Sequence, residues 1–159
     1  MKKRQKGFSL IELLIVVAII LIVAAIAIPS FMRARMAANE SSAAQSMRTI
    51  NTAEVSYAST YPLTGFAPLA ALGGAQPCTP SAATGCFIDD FLATNGATKG
   101  KDGYSFGVNG PTLAGYDSVA NALVINLTGS RSFCSDQTGM ISFLAGGNGC
   151  TRGTGVPLQ

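Results

Sequence analysis

From Phe8 to Ile28 the chain reads FSLIELLIVVAIILIVAAIAI, apolar at nearly every position except Ser9 and Glu12. Coiled as a helix, these 21 residues extend about 31 Å, which matches a hydrocarbon core of about 30 Å. Such a segment belongs in a membrane. Lys2, Lys3, Arg4 and Lys6 precede it, and a basic cluster of this kind stays on the cytoplasmic side. The expected orientation is therefore N-in and C-out, with everything after Pro29 on the outer side of the inner membrane.

A secretory signal peptide shares the basic start and apolar core. It fits poorly, because the run ends in Ala27-Ile28-Pro29-Ser30-Phe31 without a small-x-small cleavage site. The small residue placed for cleavage is Gly7, before the apolar run. Cutting there removes the positive charges and leaves the anchor attached.

Lys6-Gly7-Phe8-Ser9-Leu10-Ile11-Glu12, followed by about twenty apolar residues and then Pro29, resembles the class III signal of type IV pilins and pseudopilins. The resemblance implies that a membrane prepilin peptidase cuts between Gly7 and Phe8 and methylates the new amine of Phe8. Glu12 then takes the place of the family's acid at the fifth mature position, and Pro29 that of its helix-bending proline. Leu21 stands where many members carry a glycine. The implied partners are copies of the chain in a helical filament, the prepilin peptidase, the membrane before assembly, and an inner-membrane assembly machinery with its ATPase. Minor pilins belong to the same set. The implied location changes from single-pass inner-membrane protein to extracellular pilus.

Glu12 can also be weighed on physical grounds. An ionised carboxylate deep in a bilayer costs at least about 2.5 kcal/mol, so it calls for a partner or a function. One reading is an interfacial acid left partly hydrated. The other, which the resemblance favours, pairs it with the positive amine of Phe8 on a neighbouring subunit and so rewards correct axial register.

At 159 residues the chain has room for one globular head beyond the anchor. Its net charge of +3 belongs to the uncut chain. Loss of residues 1–7 leaves seven basic against eight acidic side chains, a balance that gives no general affinity for nucleic acid. The four cysteines, Cys78, Cys86, Cys134 and Cys150, all lie on the expected outer side, where disulfides form. Three connectivities exist. The local one, Cys78 with Cys86 and Cys134 with Cys150, closes two short loops flanked by turn residues, each worth roughly 2.5 to 3 kcal/mol. A zinc site is the alternative, but neither pair has the close zinc spacing and the chain has no histidine.

The expected fold class is α+β, in the manner of the pilin fold. Residues 1–7 form a leader, 8–29 a transmembrane and polymerisation helix, and 30–61 an amphipathic helix. Residues 62–102 form a connecting loop region, and 103–159 an antiparallel sheet of about four strands with a disulfide-closed C-terminal loop. Ala43, Met47, Ile50, Ala53 or Glu54, Tyr57 and Tyr61 recur at helical spacing and predict a face that packs on the sheet. Asn39, Ser42, Ser46, Thr49, Ser56 and Ser59 are assigned to the opposite, exposed side. In the loop region, Pro68 to Leu72 and Phe87 to Ala93 read as short helices. Asp89 and Asp90 are placed in the first turn of the second, where negative charge is favoured; calcium is the rival reading.

Period-two alternation predicts strands at Tyr104 to Val108 and Ala122 to Leu127, with a start nearer Tyr116 and a bulge or break at Asn121 as the alternative for the second. Asp136-Gln137-Thr138-Gly139 suits a type I turn, with Asp first and Gly fourth. It should join Ser130–Ser135 to Met140–Leu144 as a hairpin.

Catalysis finds little support. Without histidine there is no ordinary triad or imidazole base, and the acids are scattered. Gly146-Gly147-Asn148-Gly149 lacks the lysine of a phosphate loop. No cofactor or metal is expected. Asn126-Leu127-Thr128 matches the N-glycosylation triplet but falls on an expected strand. The leading reading is a type IV pilus subunit, serving adhesion, motility or DNA uptake. The alternatives are a pseudopilin of a type II secretion system and a membrane-tethered periplasmic binding module. The tethered module leaves Gly7 and Glu12 unexplained.

Overall fold

The structure is a computed structural model that describes residues 7–158. Lys2, Lys3, Arg4 and Lys6 lie outside the described residues. The chain divides into an amino-terminal unit ending at Ala34 and a second, compact unit beginning at Arg35.

Helix α1, Leu10–Thr60, runs through both units and carries Pro29 in its interior. Between Phe8 and Thr64 the sequence contains no glycine, so the extra backbone entropy cost that glycine brings to a helix is absent. Pro62 follows the helix, and its missing N–H stops further propagation. The last turn closes through the N–H groups of Thr64 and Gly65, which both donate to the Tyr61 carbonyl at 3.0 and 3.1 Å. Gly65 has φ +78°, and a Cβ there would lie 2.6 Å from the Leu113 backbone. Glycine is required at that corner.

Beyond Ala34, α1 buries Ala43, Met47, Ile50, Ala53, Glu54 and Tyr57, the stripe expected from the sequence. The opposite face needs correction at Ser46, which is buried and accepts a hydrogen bond from Lys101 Nζ at 3.3 Å. Asn39 and Ser42 are also engaged, Asn39 donating to the Thr128 carbonyl and Ser42 to the Asp102 carboxylate. The stripe is wider than the apolar residues alone, because hydroxyl and amide side chains can be buried when a partner awaits them.

Five strands form an antiparallel sheet in sequence order: β1 Tyr104–Asn109, β2 Asp117–Ala122, β3 Arg131–Asp136, β4 Ile141–Ala145 and β5 Val156–Pro157. The hairpin β3–β4 pairs Phe133 with Phe143 and Ser135 with Ile141, around a turn closed by the Gly139 N–H to the Asp136 carbonyl at 2.9 Å. The fifth strand is two residues long, too short to show a period. Tyr104, Phe106, Ala120 and Phe133 on the sheet join Met47, Ile50 and Tyr57 on α1 in one core. The molecule is thus α+β, a long helix packed on an antiparallel sheet.

Two expected elements are displaced. Pro68 precedes helix α2, Leu69–Leu72, but Phe87 and Ile88 are not helical. Their N–H groups both donate to the Leu72 carbonyl, which holds them in a bend, and a π-helical turn begins later, at Phe91–Asn95. Asp89 Oδ2 accepts the Leu92 N–H at 2.9 Å, so this acid does sit at the start of a helical turn.

The strand expected at Ala122 to Leu127 ends at Ala122, where its partner Tyr104 begins β1. Past that point the pairing stops at one bond, from the Leu123 N–H to the Gly103 carbonyl at 2.9 Å, because the chain before β1 turns away through Gly103 at φ +79°. The chain then turns through Asn126, at φ +63°, and Leu123, Val124, Ile125 and Leu127 remain exposed. Asn126 tolerates the left-handed conformation better than its branched neighbours. The glycosylation triplet therefore lies on an exposed turn rather than a strand.

Candidate assembly site at the amino terminus

Helix α1 starts from Ser9. The Ser9 N–H donates to Glu12 Oε2 at 2.9 Å, and the Ser9 carbonyl accepts the Leu13 N–H at 3.3 Å. The order Ser9-Leu10-Ile11-Glu12 is the sequence of a capping box, in which the third helical residue reaches back to the cap backbone. Its carboxylate also faces the positive end of the helix dipole. Glu12 therefore has a role inside its own chain, legible as S-x-x-E in the sequence and missed when it is read only as a membrane charge. Its Oε1 has no hydrogen-bond partner among the described residues, so one oxygen is available to an incoming cation.

Gly7 and Phe8 precede the helix and are exposed, Phe8 at 85%. A Cβ added at Gly7 would meet nothing within 4 Å, and Gly7 is not among the residues with positive φ. Nothing in the described fold calls for glycine at this position.

From Leu10 to Ile28 the large apolar side chains are exposed, including Leu13, Val17, Leu21 and Ile28. The helix is long and apolar enough to cross a membrane. Leu10, Leu13, Leu14, Val17, Ala18 and Leu21 line a shallow apolar groove at i, i+3, i+4, i+7, i+8 and i+11. Ala18, Ala24, Ala25 and Ala27 add small side chains that permit close helix approach.

In the second unit the cysteines are paired Cys78–Cys86 and Cys134–Cys150, with Cα separations of 6.0 and 5.5 Å. The first closes the loop after α2. The second ties the segment after β4 to β3. Arg152 on that segment lies 2.9 Å from Asp117 and 3.3 Å from Asp136, two acids opposite each other on β2 and β3. Burial would raise the Asp136 carboxyl, but the Thr138 hydrogen bonds and Arg152 hold it below the ordinary value.

Glu40 and Glu54, both buried on α1, are treated differently by their surroundings. Glu40 accepts the Ser130 N–H and hydroxyl at 2.8 Å each, and the Arg131 guanidinium at 2.7 Å. Burial pushes its carboxyl up, but these donors together bring it below the usual range. Among the described residues Glu54 has one donor, the Ala67 N–H, and burial pushes its carboxyl up to about 7.

Residues 2–28 match the family model described as the prokaryotic N-terminal methylation motif. The chain is 48% identical over 54 residues to the type IV major pilin protein PilA of Myxococcus xanthus (strain DK1622), a stretch covering 34% of this chain and 24% of that protein. The matched stretch thus spans about a quarter of the length of the relative. No solved structure matches the chain. The chain is thus similar to a type IV major pilin over its amino-terminal third, and it carries the methylation motif at the start of a long helix packed on an antiparallel sheet.

Proposed function

We propose that this chain is the structural subunit of a type IV pilus. Residues 1–7 are its leader, cut between Gly7 and Phe8 by a prepilin peptidase that then methylates the Phe8 amine. The observation that carries the reading is a glycine the fold does not need, placed directly before a helix whose apolar surface is left uncovered. A glycine that neither packing nor backbone conformation calls for, lying inside the matched methylation motif, suits recognition by an enzyme.

Before assembly the 8–29 segment spans the inner membrane with its amino terminus inside. An assembly machinery with its ATPase then transfers the span from lipid to a bundle of copies, where apolar ridges and alanines pack. The relative's name, a type IV major pilin, supports a role as filament body. Adhesion, motility or DNA uptake would then belong to the exposed loops of the assembled head.

The test is mass spectrometry of protein recovered from sheared filaments. The mature chain should begin at Phe8 and carry one extra methyl group on its amine. Filaments built from a chain that still begins at Met1 would overturn the reading.

A further inference from the structure

Leu123, Val124, Ile125 and Leu127 are 46%, 49%, 43% and 49% exposed, although they belong to the most apolar run of the head. The turn that carries them is well held. Leu127 N–H donates to the Val124 carbonyl at 3.2 Å and Asn126 N–H to the Gly129 carbonyl at 2.9 Å. Thr128 Oγ1 accepts the Val124 N–H at 3.1 Å, and Asn39 on α1 donates to the Thr128 carbonyl at 2.9 Å. An apolar knob fixed to the helix in this way needs little ordering on contact.

The same helix offers a receptor. Arg48, Thr52, Val55 and Ser56, with Gly139 from the β3–β4 turn, line a shallow cleft that is mostly apolar. Val55 is 56% exposed among the hydroxyl side chains of that face. Asn39, where the knob attaches, and Val55 are sixteen residues apart, about 24 Å along the axis and about 160° around it. Knob and cleft therefore face nearly opposite ways at different levels, so a subunit cannot fill its own cleft.

We infer that the Leu123–Leu127 turn of one subunit seats in the Arg48–Val55 cleft of a second copy. The contact joins two different surfaces, and such heterologous contacts propagate into open filaments unless the rotation happens to close. Area explains why the partner is a copy already held nearby. Four half-exposed aliphatic side chains fall well short of the roughly 1,200 Å² at which stable pairs begin. Once the α1 spans tether the copies, the effective concentration reaches about the millimolar range and a small contact suffices.

This inference rests on the pilus reading, and the experiment separates the two. Full-length chains carrying Val55→Cys and Val124→Cys are expressed together in one polypeptide and singly, and sheared filaments are run without reductant. The double variant should give a ladder of covalent multimers that each single variant lacks. Filaments without a ladder would overturn the knob-and-cleft contact and leave the pilus reading standing, whereas failure of the unsubstituted chain to form filaments would overturn both.

Should the double cysteine variant not assemble, a charge pair decides. Leu127→Lys should lower filament recovery about tenfold or more, and adding Val55→Glu should restore it to within about twofold. Absence of that rescue would overturn the contact.

Discussion

Glu54 accepts the Ala67 N–H through Oε2 at 2.9 Å, while its Oε1 is buried without a hydrogen-bond partner among the described residues. The residue is fully buried, and burial raises its carboxyl from 4.5 to about 7. The folded head therefore holds a proton that the unfolded chain releases at lower pH.

The sign of the pH dependence follows from that difference. The contribution of Glu54 is greatest below pH 4.5, declines as pH rises towards 7, and is lost once the carboxylate is ionised in the folded state. A shift of this size corresponds to about 3 kcal/mol between the two ends of the window. Glu54→Gln keeps an acceptor for Ala67 and removes the titration. Urea unfolding of the full chain in detergent should show the unsubstituted protein losing stability from pH 5 to pH 8, with a much flatter profile in the variant. Equal slopes would show that Glu54 does not titrate in this range.

Glu40 has the opposite sign. The bonds from Ser130 and Arg131 lower its carboxyl, so its contribution is present above the ordinary carboxylate range and fades as pH falls through the lowered value. Glu40→Ala leaves the Ser130 N–H without its acceptor and Arg131 without its counter-ion. The Arg131 side chain is 40% exposed, and water can compensate it, so the expected loss is about 2 kcal/mol. The same urea titration at pH 7 measures it, and the deficit of the variant should shrink at pH 3.

The helix was legible in the sequence because its signals are local. An uninterrupted apolar run, a 3.6-residue stripe from Ala43 to Tyr57 and a closing Pro62 need no knowledge of what lies across the core. The hairpin around Asp136 to Gly139 was legible for the same reason. Where the reading failed, a distant partner decided. Leu123 to Leu127 looks like a buried strand until β1 is seen to begin only at Tyr104, and Phe87 looks helical until the Leu72 carbonyl takes its N–H. Glu40 carries no local hint that Ser130 and Arg131, ninety residues on, will close around it. Ser9 differs from these cases, since its capping box with Glu12 was present in four consecutive letters.

That capping box changes what a test of Glu12 must separate. Glu12→Ala removes both the acceptor for the Ser9 N–H and the charge offered to the Phe8 amine of a neighbour, so a loss of filaments would not tell the two roles apart. Glu12→Gln does, because glutamine serves equally well as the third residue of a capping box while carrying no charge. A helix start that merely needs capping should survive this change with little effect. A charge pair between subunits should not, since an uncompensated amine in a poorly hydrated bundle costs on the order of 3 kcal/mol per contact. The expected result is normal membrane insertion of Glu12→Gln with pelleted filament reduced at least about a hundredfold, close to the loss in Glu12→Ala. Wild-type pelleting by Glu12→Gln, with loss confined to Glu12→Ala, would assign Glu12 to the helix cap and remove charge pairing from the assembly mechanism.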